Sequence, residues 1–119
     1  MNIDFVEGDG NERLPGDFQP YVKDWFNEKF PSLSPPQKYS FELIHERENS
    51  LISAPTGSGK TLSAFLSTLN ELYRKGENGE LEDEIYVVYV SPLKALNNDI
   101  HRNLEEPLQG IREKAEERG

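Results

Sequence analysis

The chain has 119 residues, 34% of them hydrophobic and 29% charged, which suffices for one small globular core and is too little for two. It contains no cysteine, so disulfides, zinc–thiolate sites and iron–sulfur clusters are excluded and nothing points to an oxidising compartment. The formal charge of −9 argues against nucleic acid as a partner only until it is located: residues 1–17 carry −4 and residues 76–84 carry −5, so the rest is balanced and leaves room for a local basic face.

The N-terminus Met1-Asn2-Ile3-Asp4 lacks the basic-then-apolar order of a secretion signal. No apolar run approaches the roughly 20 residues of a membrane span, so no membrane partner is expected and the cytoplasm is the expected compartment. Residues 1–17, with Gly8, Gly10, Pro15 and Gly16 among acids, show no sustained period and read as a flexible acidic lead-in. From Pro20 onward Val22, Trp25, Phe26 and Phe30 fall at helical spacing until Pro31 stops them. That predicts a short helix whose aromatic stripe packs on a core in preference to stacking on bases.

Ser34-Pro35-Pro36-Gln37 predicts a second helix start: Ser34 as N-cap, Pro35 at the first helical position, and Gln37 closing a capping box. The helix should run over 35–45 and bury Phe41 and Ile44. Capping alone would account for Gln37. Its two-faced amide also suits the edge of an adenine, and spacing does not choose between the two roles.

Residues 51–54 form a short apolar run that reads as the first strand of a parallel α/β unit. It leads into Ala54-Pro55-Thr56-Gly57-Ser58-Gly59-Lys60-Thr61, the stretch on which the chain is organised. Glycines there let successive backbone N–H groups face one point, Lys60 adds a cation, and the Thr61 hydroxyl suits Mg²⁺. The helix that follows turns its positive dipole end to the same point. This is the order of parts in a phosphate-binding loop of the looser A/G-x-x-x-x-G-K-S/T form, because Ala54 stands where many such loops have glycine.

Leu62, Phe65, Leu66, Leu69, Leu72 and Tyr73 mark one face of the next helix, with Arg74 and Lys75 in its last turn and Gly76 as the expected C-cap. After the acidic connection over 76–84, residues 85–90 (Ile-Tyr-Val-Val-Tyr-Val) are apolar without alternation, as in a strand covered on both faces of a parallel sheet. A second strand-to-helix junction follows at Ser91-Pro92, and Leu93, Leu96, Ile100 and Leu104 continue at helical spacing. Lys94, Asn98 and Arg102 repeat every four residues beside that stripe, either as a solvated face or as a cationic binding face. Beyond Pro107 the charged segment reads as a helix start that packs against nothing. Neither His45 nor His101 has a second ligand at metal spacing, and both read as ordinary helix or surface residues.

Three segments in order, Pro36-Gln37, Ala54 to Thr61, and Ser91-Pro92-Leu93-Lys94-Ala95-Leu96-Asn97-Asn98-Asp99-Ile100, resemble the first motor domain of superfamily 2 DNA/RNA helicases of the DEAD/DEAH group. The likeness is strongest to the large helicase-related (Lhr-type) branch and spans residues 20–112. It implies an α/β fold, part of the parallel sheet and flanking helices of a RecA-like P-loop NTPase. It further implies ATP and Mg²⁺ as cofactors and a nucleotide site of Gln37, Pro55, Thr56, Gly57, Ser58, Gly59, Lys60 and Thr61. In that site Gln37 would read adenine, residues 56–60 would hold the β and γ phosphates, and Thr61 would ligate Mg²⁺. Phe18 or Tyr21 would be the aromatic residue packed on the base. Ser91, Pro92 and Lys94 would touch the backbone of single-stranded DNA or RNA.

Helicases of this kind complete hydrolysis with a later D-E-x-H-type motif and a second motor domain, and no aspartate follows Asp99 here. The resemblance therefore implies an N-terminal part of a motor, residues 18–119 being a partial ATP-binding domain that binds ATP and a strand but does not hydrolyse or unwind alone. Its partners would include the remaining helicase segments, encoded downstream. The strands at 51–54 and 85–90 would not be neighbours in such a sheet, which leaves unpaired edges and exposed apolar faces. A reading of a different class is a stand-alone, non-enzymatic nucleotide-binding or regulatory module derived from a helicase motor.

Overall fold

Helices account for the regular structure of residues 10, 13–47, 49–52, 59–90, 98 and 100–119, which the computed structural model describes. They are α1 (Pro20–Lys29), α2 (Pro35–His45), α3 (Lys60–Glu77), a π-helical turn (His101–Glu105) and α4 (Glu106–Arg118). Proline opens α1, α2 and α4, where its missing N–H would have lacked an intrahelical partner in any case. The chain leaves α1 through Phe30 in extended geometry (φ −126°, ψ 133°) just before Pro31.

The core lies where the faces of α1, α2, α3 and α4 meet. Val22, Phe41, Leu66 and Ile111, one from each helix, are all at most 2% exposed. Aromatic edges fill the space between: Phe41 receives Phe18 at 6.1 Å and Phe26 at 5.9 Å between centroids, both near perpendicular. α3 buries Leu62, Leu66 and Leu69 as its period predicts, and beside them a second stripe of Ser63, Ser67 and Asn70. Asn70 is fully buried, and its Oδ1 accepts the Gln19 N–H at 2.7 Å, tying the start of α1 to the middle of α3.

Beyond the C-cap of α3, which is Asn78 and not Gly76, two sequence expectations are corrected. The segment beyond Pro107 does not end without packing: it is α4, which lies on α1 with Pro107 and Ile111 buried. Gly110 lets the helices approach, since a Cβ there would come within 2.2 Å of the Trp25 ring. Outside this contact Arg118 pairs with Asp24 at 2.5 Å and Lys114 with Glu28.

The second correction is the fold class. An α/β parallel sheet was expected, but among the described residues none is in a strand, and the chain is helical. Residues 85–90 run without ladder pairing, with Ile85 84%, Val88 78% and Val90 86% exposed, and Leu51 of the other expected strand is 97% exposed. The physical reason is the asymmetry between the two kinds of element. A helix satisfies its own backbone groups, whereas a strand needs a neighbour, and two strands that are not adjacent in a sheet cannot supply one another.

Candidate nucleotide site

The described part of the phosphate-loop stretch is its end, where Gly59 turns into α3. Gly59 is the N-cap of α3 in left-handed geometry (φ 89°, ψ 9°), which suits glycine because a Cβ would be strained there. Lys60 and Thr61 open the helix and are half-buried. The first turn of α3 carries no acid, while Arg74 and Lys75 lie in the last, so nothing on the helix itself neutralises its positive end. An 18-residue helix that opens without a side-chain cap and carries a lysine and a hydroxyl in its first turn is chemically suited to a phosphate with its metal. Lys60 would meet the phosphate and the Thr61 oxygen the Mg²⁺.

Gln37, from the first turn of α2, meets this end directly. Its side chain is buried (3% exposed), Oε1 accepts the Ser34 N–H at 2.8 Å, and Nε2 donates to the Gly59 carbonyl at 3.3 Å. The same Gly59 oxygen accepts the Ser63 N–H at 3.2 Å and the Ser63 hydroxyl at 3.3 Å. The structure thus brings Gln37, Gly59, Lys60 and Thr61 together. Pro55, Thr56, Gly57 and Ser58 lie outside the described residues, as do Ser91, Pro92 and Lys94. Asn98 and Arg102 of the polar stripe are exposed.

Phe18 and Tyr21, the aromatic residues considered for the base, are core residues at 2% and 6% exposure. Phe18 packs edge-on to Phe41 and His45, and Tyr21 packs on Tyr73 at 5.4 Å. Burial pushes the Tyr21 hydroxyl well above its ordinary range, with Glu77 adding to the effect.

Sequence reading missed three contacts. Ser63 joins the Gly59 carbonyl; a serine one turn after an N-cap, able to bond back to it, was the available signal. His45 Nε2 lies 2.7 Å from Asp17, which holds the Asp17 carboxyl below the usual carboxylate range through a hydrogen bond, and separation in sequence hid the pair. Glu71 is gripped by Arg74 at 2.5 Å and Arg47 at 3.2 Å. Arg74 chiefly keeps its carboxyl depressed. Glu71, Arg47 and His45 line a cavity of 480 Å³ between α2 and α3, and a second of 990 Å³ lies between the end of α3 and α4. Gly59, Lys60 and Thr61 line neither. Among the described residues no group of three or more His, Cys, Asp or Glu is placed to hold a metal, and no helix is long and apolar enough to cross a membrane.

The profile of the DEAD/DEAH box helicase family matches residues 34–118, from the N-cap of α2 to the last residue of α4. The chain belongs to this family. Within it the similarity is to Lhr-type helicases. The chain is 64% identical over 98 residues to the ATP-dependent helicase Lhr-Core protein 2 of Thermococcus barophilus, covering 82% of this chain and 11% of that one. It is 57% identical over 98 residues to the ATP-dependent helicase Lhr-Core of Methanocaldococcus jannaschii, covering 82% and 12%. To the Lhr helicase/uracil glycosylase of Escherichia coli it is 40% identical over 117 residues, covering 93% and 8%. The chain therefore spans roughly a tenth of the length of the curated relatives it matches. No solved structure matches it.

Proposed function

We propose that this chain supplies the ATP-binding start of an Lhr-type helicase motor. In this reading residues 18–119 are a partial nucleotide-binding domain and residues 1–17 an acidic lead-in. The single observation that carries it is the construction at Gly59: a left-handed glycine hooked by Gln37 and followed by Lys60 and Thr61 on the acid-free first turn of α3. Residues 55–61 with Gln37 bind ATP with Mg²⁺ on Thr61. Ser91, Pro92 and Lys94 contact the backbone of single-stranded DNA or RNA. These 119 residues bind nucleotide without hydrolysing it.

Titration of the purified chain with ATP, with and without Mg²⁺, tests the proposal. Binding should require Mg²⁺ for full strength and weaken by roughly 10- to 100-fold in Lys60→Ala, the worth of a charge-assisted hydrogen bond. A Lys60-dependent ATPase rate in the same chain would overturn the claim that it does not hydrolyse.

One observation favours the second reading, a stand-alone nucleotide-binding or regulatory module derived from a motor: α4 closes on α1, so the helices share a core of their own. Cooperative thermal unfolding that shifts with Mg-ATP and not with single-stranded nucleic acid would support it.

A further inference from the structure

The 990 Å³ cavity between the end of α3 and α4 is a groove with apolar walls and an acidic edge. Leu72 and Tyr73 of α3, Leu108 and Ala115 of α4 and Leu81 of the connection line it, and Leu81 and Leu108 remain 48% and 43% exposed. The charged side chains on its edge are Glu77, Glu105 and Glu116 against Arg112, three carboxylates to one guanidinium. Glu80, Glu82, Asp83 and Glu84 follow Glu77 along the connection. The Tyr21 hydroxyl is buried at the wall with no hydrogen-bond partner, and the carboxylate that acts on it, Glu77, is held by Gln19 Nε2 at 3.0 Å.

Groove length and edge charge together select an occupant. From Leu69 to Glu77 the α3 wall runs 77 − 69 = 8 residues, about 12 Å at the helical rise, which holds roughly two turns of another helix. A groove of that length between two helices takes apolar side chains spaced i, i+4 and i+7, and its carboxylates favour cations beside that stripe. A second copy would bring its own acidic edge against the first in a chain of net charge −9, and nucleic acid meets the same repulsion. We propose that this groove is the docking surface for a basic amphipathic helix of a partner protein. The apolar stripe of that helix sits on Leu72, Tyr73 and Leu108, and its lysines or arginines face Glu77, Glu105 and Glu116. Gly59, Lys60 and Thr61 do not line the groove, so the surface is independent of the nucleotide site.

Fluorescence anisotropy of a labelled model peptide with the purified 119-residue chain tests it. The probe is a peptide of leucine and lysine, about 18 residues long so that it holds a helix, with leucines at i, i+4 and i+7. Its counterpart carries glutamate for every lysine. The lysine peptide should bind one to one, and the glutamate peptide at least about 10-fold more weakly. Leu108→Asp separates docking from bulk attraction. It adds a carboxylate, so attraction to the net charge alone would hold the lysine peptide as tightly or more so, whereas loss of an apolar anchor should weaken it about 10-fold. Should Leu108→Asp fail to fold, Leu81→Ser removes an anchor that no helix contains and should weaken the peptide about 3- to 10-fold. Glu116→Gln should cost about 1.5- to 5-fold, the worth of one exposed ion pair. Unchanged or tighter binding in the folded leucine variants, equal binding of the two peptides, or binding of neither overturns the proposal. So does a chain that sediments as a dimer and turns monomeric in Leu108→Asp, because the groove would then be a contact between copies.

Discussion

α3 and residues 85–90 are both rich in large apolar side chains, yet they end in opposite environments. α3 carries Leu62, Leu66 and Leu69 into the core, whereas Ile85, Val88 and Val90 face solvent. Backbone chemistry separates them. Eighteen residues of helix close their own hydrogen bonds and need only one covered face, while six extended residues need a neighbouring strand before any face is worth covering. Apolar composition alone therefore does not decide burial.

The comparison is tested most severely by Leu66→Ala. Leu66 is fully buried, so truncation should cost about 2–5 kcal/mol in urea unfolding. Gly110→Ala comes next: the added methyl meets the Trp25 ring, and prying α4 from α1 should cost about 1–3 kcal/mol. Glu71 probes the surface of α3. Its carboxyl is depressed in the folded chain, so its contribution is complete above the unfolded-state value near 4.3 and is lost as pH falls through the lower folded value. Acid titration of the unfolding free energy should show the parent losing up to about 1 kcal/mol against Glu71→Gln, the usual worth of a pair this exposed. The smallest effect is expected at Val88→Lys: stability should move by no more than about 0.5 kcal/mol while solubility rises, because the charge interrupts an uncharged run prone to edge pairing. A loss as large as that of Leu66→Ala would show that residues 85–90 are packed after all.

The helices were legible because period, caps and prolines agreed. Pro20, the Ser34 to Gln37 box and the Leu62–Leu66–Leu69 stripe all stand as read. The sheet was read from local patterns whose stability depends on partners elsewhere, and that dependence is not written in residues 51–54 or 85–90. α4 was hidden for the reverse reason. Glu113, Lys114, Glu116 and Glu117 dominate its composition, while its buried residues are only Pro107 and Ile111, with Gly110 set against Trp25 of α1. At the candidate site the sequence offered the residue types, including Gln37 and Gly59. That the two touch follows from how α2 is set against the start of α3, which no spacing encodes.

Trp25, only 7% exposed, lies on Gly110 and edge-on to Phe30 at 6.1 Å, with the Lys29 ammonium 5.8 Å from its ring centre. It is also the one tryptophan of the chain. The junction between the first and last helices therefore carries its own optical label. Emission from a ring shielded by glycine and phenylalanine is blue, and it shifts to the red when α4 lifts away. Any partner that inserts between those two helices would announce itself in the colour of a single residue, with no dye attached.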